Sequence, residues 1–257
     1  MKILTQEQAQ PYQNTSLKRG HVVFTSLIQF QSRLLFLNSH LERLLRGAEF
    51  LFPGNDWTGK QKAIEDAIAV ELSGKKDHYL RLTIFDENLI IESHVRGQFS
   101  ATVKLVEAVS KKTPGLKPSY LKQSNYLESD LELQKAKDAG FEDVLFFSHN
   151  NEVTEASTSN IFIVTDGQTI ITPPESSMVL AGITREKLSE CLRRNQMTVK
   201  EKVVSREDLE KAREIWLTNA VRGLRFVSQF QNKTFEVKDS LYEKVTELFG
   251  RYGENYE

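Results

Sequence analysis

Two short apolar runs, HVVFTSLIQF (21–30) and RLLFL (33–37), flank the polar pair Gln31 and Ser32, and this spacing of β-forming residues predicts a hairpin. The period then changes. Leu41, Leu44, Leu45, Ala48 and Leu51 recur at helical spacing, with Ser39 placed as N-cap and Glu42 three residues on, the spacing of a capping box. A second helix is expected over about 57–73, ending near Gly74. Strands follow at 78–85, 89–95 and 100–109, with Asp86, Glu87 and Asn88 supplying a turn.

The segment SKKTPGLKP (110–118) combines charge with two prolines and a glycine, so 114–118 reads as a linker between an N-terminal domain (1–113) and a C-terminal domain (119–257). Beyond it the pattern predicts a helix over 126–139 closed by Gly140, strands at 143–148 and 160–165, and a hairpin through Asp166 and Gly167 to 168–172. A helix at 183–195, strand 199–203, a short helix 205–212 capped by Ser205, strands 214–218 and 224–230, and a last helix from about 239 complete the chain. The fold class is α+β in two lobes, a form suited to a small-molecule enzyme.

Composition narrows the function. With 257 residues, 34 basic against 35 acidic side chains and a net charge of −1, no global field draws the molecule to nucleic acid or to an anionic membrane. Any anion site must be local. The first residues, MKILTQEQAQ, lack the apolar centre of a signal peptide and no run reaches the ~20 apolar residues of a membrane helix, so a cytoplasmic protein is expected. Cys191 is the single cysteine and falls in a helical pattern, where a buried thiol without a disulfide is the ordinary role. No metal site is expected.

Four segments carry candidate chemistry: LKQSNYLES (121–129), NEVTEASTSNIFIV (151–164), LAGITREKL (180–188) and WLTNAVRGL (216–224). Lys122 stands among Leu121, Tyr126 and Leu127 instead of on the solvated faces that hold Lys111, Lys112, Lys135 and Lys137; Lys117, the rival, lies in the linker before Pro118. Glu155 sits before a run of small residues, and Gly182 leads a helix whose first amides can meet an anion.

In this order and spacing the segments resemble the class IV, or fold-type IV, pyridoxal phosphate enzymes, among them branched-chain and D-amino acid aminotransferases and aminodeoxychorismate lyase. The resemblance covers most of the chain. It implies a small N-terminal lobe, a larger C-terminal lobe with a barrel-like sheet, and a homodimer. It also implies roles: Lys122 as the Schiff-base amine, Glu155 opposite the ring nitrogen, and Leu180 under the ring. Arg43 of HLERL, the amides of Gly182 and Ile183, and Thr184 would hold the phosphate. Tyr126, Asn219 and Ala220 would add further contacts to cofactor or substrate, and His40 is implied to be a structural neighbour.

Within that family three features are similar to the lyase. Phe24, Thr25 and Ser26 stand where aminotransferases carry a tyrosine and a glutamate, the lysine segment shares Asn125, Leu127 and Glu128, and Asn219 with Ala220 replaces a serine and threonine. The expectation is therefore conversion of 4-amino-4-deoxychorismate to p-aminobenzoate and pyruvate, a step of folate biosynthesis, with an aminotransferase of branched-chain or D-amino acids as alternative and a non-catalytic scaffold of the same fold as second alternative. Phe24, Thr25 and Arg222 are the substrate candidates, Arg222 because a guanidinium suits a carboxylate. Arg81, His94 and Arg96 are further cations of the first lobe. Gly20 is kept where relatives have a glycine-containing segment, and the second glycine is not.

Overall fold

The computed structural model describes residues 2–4, 15–30, 32–113, 115, 118–165 and 169–254. Gln31, Asp166 and Gly167, which the expected hairpins use, and Pro114, Leu116 and Lys117 of the expected linker lie outside them. By contact the chain divides after Gln98, and Tyr120–Asn125 returns to the first unit; the second holds Phe99–Ser119 and the chain from Tyr126 on.

The first unit contains β1 (Lys2–Leu4), α1 (Thr15–Lys18), β2 (Val23–Phe30), β3 (Arg33–Leu34), α2 (Leu37–Leu51), α3 (Gln61–Glu71), β4 (His78–Phe85) and β5 (Asn88–Val95). Its sheet runs β1-β5-β4-β2-β3, with β1 parallel to β5 and the other pairs antiparallel. Leu41, Leu44, Leu45 and Ala48 of α2 and Ile64 and Ile68 of α3 pack with Leu27, Leu80 and Leu82 of the sheet and with Leu121 of the returning segment. The expected cap at Ser39 is not used. The helix begins at Leu37 after Phe36, which takes a left-handed conformation (φ 57°) with no side-chain cap, so Ser39 lies within the first turn. Phe36 itself is 8% exposed, and its burial accompanies a backbone conformation rare for an aromatic residue.

The second unit contains β6 (Thr102–Lys112), α4 (Leu127–Asp138), β7 (Asp143–Ser148), β8 (Val153–Ala156), β9 (Asn160–Val164), β10 (Thr169–Thr172), α5 (Ile183–Arg194), β11 (Thr198–Glu201), α6 (Arg206–Lys211), β12 (Glu214–Asn219), β13 (Gly223–Phe230), β14 (Lys233–Thr234) and α7 (Leu241–Glu254). Eight strands follow the path β11-β10-β9-β12-β13-β6-β7-β8, and β14 pairs with β13. The N–H of Val153, on the last strand of that path, donates to the carbonyl of Val204, just beyond the first, at 2.8 Å, so the sheet curls until its ends meet. β6 lies between β13 and β7, paired in parallel with each, and so belongs to the second unit.

Local chemistry explains the ends of these elements. Gly140 (φ +84°) stops α4. Ser205 caps α6 in a reciprocal capping box with Asp208. The buried carboxylate of Glu214 accepts from the indole N–H of Trp216 and from the amides of Leu241 and Tyr242 at 2.6–3.0 Å, tying β12 to the start of α7. Cys191 is buried in α5, where desolvation pushes its thiol pKa up. Among the described residues no helix is long and apolar enough to cross a membrane, and no cluster of histidine, cysteine or carboxylate side chains fits a metal ion.

Candidate active site

In the first unit the returning segment runs against the start of β2. The amide of Phe24 donates to the carbonyl of Lys122 at 3.0 Å, and Val23 bridges to Gln123. This main-chain pairing fixes the half-buried side chain of Lys122, whose Nζ lies 4.8 Å from the centroid of the Phe24 ring. Arg81, on β4, meets the same ring at 3.7 Å and donates to Ser124 Oγ at 3.3 Å. Lys122 and Arg81 thus share the Phe24 ring. Asn125 packs on Gly20, where a Cβ would come 2.2 Å from its Oδ1, and the positive φ of Gly20 (+68°) also favours glycine.

On the other side of β2, Thr25 is fully buried. Arg43 Nη2 donates to its hydroxyl at 3.0 Å, and His40 Nδ1 lies 2.8 Å from it. His40 and Arg43 are three residues apart on α2 and so share a helix face. Burial first, then the charges of Arg43 and Lys122, hold the His40 pKa well below its ordinary value, so the imidazole is neutral at neutral pH. Sequence reasoning placed Thr25 near the substrate; the structure places it beside Arg43. His94 stacks on Tyr79 at 4.9 Å, and the amide of Arg96 donates to the Asp77 carbonyl.

The second unit carries its candidates on strand ends, a turn and a helix start. Glu155 lies on β8, a strand absent from the sequence reading. Its Oε2 accepts the amide of Leu180 at 2.9 Å, and Asn160 Nδ2 donates to the carbonyl of the same residue at 2.9 Å. Leu180 is therefore clamped at both ends of its peptide groups. Between Glu155 and Asn160 the chain makes a tight turn, with Ala156 N–H donating to Ser159 C=O, and Ser157 anchors it to the fully buried Asp143 through its amide and hydroxyl. Gly182 passes so near Asn160 that a Cβ would lie 1.9 Å from Oδ1. It is the N-cap of α5, so the amides of the following turn, with buried Ile183 and Thr184, are set by this approach.

Asn219 ends β12. Its Nδ2 donates to the Thr158 carbonyl at 2.6 Å, and its Oδ1 accepts the amides of Val221 and Arg222 at 2.9 and 3.2 Å. Both ends of that side chain thus hold the turn carrying half-buried Ala220. Arg222 lies 5.7 Å from the Phe99 ring, and Tyr126 is half-buried at the start of α4. Sequence reasoning missed Ser159 and Thr218. They are 4% and 2% exposed, and neither hydroxyl finds a hydrogen-bond partner among the described residues. Thr218 pairs in register with Asn160, which brings it to the strand ends beside the Gly182 approach.

A curled sheet, a helix start cradled by an asparagine, and a half-buried lysine on a separate α+β unit define a fold-type IV enzyme. The chain belongs to the class IV amino-transferase family, whose pattern matches residues 22–230. A branched-chain aminotransferase crystal structure from Thermoproteus uzoniensis, solved with norvaline, has a TM-score of 0.86 at 22% identity and aligns over 97% of this chain and 92% of that one. A Legionella pneumophila structure, provisionally assigned as a 4-amino-4-deoxychorismate lyase, has a TM-score of 0.81 at 22% identity and aligns over 98% and 100%. In sequence the chain is 36% identical over 118 residues to the mitochondrial branched-chain amino acid aminotransferase 1 of Humulus lupulus, covering 44% of this chain and only 30% of that protein.

The family's cofactor is pyridoxal 5'-phosphate. The residues present fit it: the Gly182 approach leaves room for no side chain, and the buried Ser159 and Thr218 hydroxyls have no partner among the described residues. These are features that a phosphate seated at a helix start would use.

Proposed function

We propose that this class IV enzyme is an aminotransferase acting on the amino group of a small amino acid, with Lys122 as the amine that holds the cofactor. When bound, pyridoxal phosphate supplies an electron sink for bond breaking at the carbon that bears the substrate nitrogen. Lys122 would hold the cofactor through its amine and, when that amine is free, would accept the proton from the carbon that bears the substrate nitrogen. Glu155 would keep the proton on the ring nitrogen. Arg43, Thr184 and the amides of Gly182 and Ile183 would hold the phosphate, Leu180 would support the ring, and Tyr126 and the Asn219–Ala220 turn would add contacts. The single observation that carries this reading is the position of Lys122, paired to β2 through its backbone and set against Phe24.

The aminotransferase comes first because relatives matched in sequence, those of Humulus lupulus, Arabidopsis thaliana and Aquifex aeolicus among them, bear that name. A second reading, the lyase that converts 4-amino-4-deoxychorismate to p-aminobenzoate and pyruvate, is favoured by one feature. Phe24 offers Lys122 a bare ring where a phenol would offer a hydrogen bond. A homodimer and Arg222 as carboxylate partner belong to either reading. The purified protein, loaded with cofactor, is given branched-chain or D-amino acids with 2-oxoglutarate and, separately, 4-amino-4-deoxychorismate. Amino-group exchange supports the first reading, and p-aminobenzoate with pyruvate in its absence replaces it by the second. A protein that takes up no cofactor and stays colourless removes both.

A further inference from the structure

Thr25 has a hydroxyl with no solvent to bond, yet two side chains of α2 converge on it. Arginine can only donate, so the Thr25 oxygen accepts from Arg43 Nη2. With the imidazole neutral, the hydroxyl proton is satisfied by the His40 Nδ1 lone pair, 2.8 Å away, and polarisation by the guanidinium strengthens that donation. The three groups form a directed chain, from Arg43 to Thr25 to His40, in which each proton has one place.

The geometry points to Thr25 as a positioning residue that holds Arg43 in the orientation that meets the phosphate of the cofactor. This rests on the assignment of Arg43 to the phosphate made above. The physical reason is entropy and direction. A long guanidinium side chain has several rotamers, and a charge-assisted bond to a hydroxyl on a strand selects one before the ligand arrives. His40 serves as the acceptor that keeps the hydroxyl from turning away. Thr25 is thus assigned to the cofactor's anion and not to the substrate.

The test compares binding of pyridoxal phosphate and of pyridoxal, which lacks the phosphate, to the full-length apo-protein by absorbance titration. Thr25→Val should weaken pyridoxal phosphate roughly ten- to hundredfold, the range of a lost bond to a charged group, and leave pyridoxal within about twofold. Thr25→Ser should restore the wild-type ratio, and in an Arg43→Gln background Thr25→Val should change the ratio no further. Should Thr25→Val not fold, Thr25→Ala carries the same comparison, with the Ser variant as its control. Equal losses for both ligands, or none for pyridoxal phosphate, overturn the inference while Arg43→Gln still discriminates between them. If Arg43→Gln fails to discriminate, the phosphate assignment of Arg43 falls and this inference with it.

Discussion

The two units hold their candidate residues by different means. The first offers side chains: an amine on the returning segment and a guanidinium and an imidazole on α2, each placed by hydrogen bonds or ring contacts. The second offers main chain, a helix start and a turn whose peptide groups are fixed by Asn160, Asn219 and Glu155. The difference teaches that substitutions removing only a charge or an amine should alter chemistry with little change of shape, whereas those that disturb the main chain around Gly182 should alter shape first.

Lys122→Ala is the strongest test of that contrast. Its carbonyl would still accept the Phe24 amide, so thermal unfolding should stay near wild type while turnover falls by about a thousandfold or more. Normal turnover moves the covalent attachment elsewhere. Glu155→Gln keeps an acceptor for the Leu180 amide and removes the charge. Turnover should drop roughly a hundredfold with the fold retained, and an unchanged rate would sink the assigned role.

Gly182→Ala probes shape. The added methyl must displace Asn160 from Leu180, a strain of about 1–3 kcal/mol, so cofactor affinity and melting temperature should fall together; a loss of neither would show that the cradle yields easily.

The smallest effect is a pH dependence in the first unit. The folded His40 pKa lies below its unfolded value, so the unfolded chain takes up the proton first and stability falls as pH drops below about 6.5, by at most ~1.4 kcal/mol per pH unit, until the folded pKa is reached. Chemical denaturation of wild type and His40→Gln across pH 5–8 checks this, and identical slopes would contradict it.

Most of the strands and helices were legible because their apolar positions keep one period, as in α5, or form an unbroken run, as in β7, and because turn residues such as Gly140 mark ends. Others were not, the short β1, α1 and β14 among them, and three further features have a clear cause. The strand β8 is four residues long and carries Glu155 among small side chains, so no alternation announces it. Phe36 starts α2 by a left-handed turn, and a nearby serine at cap spacing imitated the usual signal. The division after Gln98 depends on β6 pairing in parallel with β7 and β13, the latter more than a hundred residues away in sequence.

The candidate site divides the same way. Glu155, Leu180 and Gly182 stand in contiguous segments whose resemblance is read directly. Thr25 and Arg43 are 18 residues apart on elements of different period, and only a folded sheet beside a helix brings them together.

One consequence follows from the lone thiol of α5. Cys191 is buried and its proton is held more tightly than usual, so alkylating reagents reach it only when the helix swings open. The rate of labelling is therefore an intrinsic clock for breathing of the segment that leads out of Gly182, available in the unaltered chain and readable by mass.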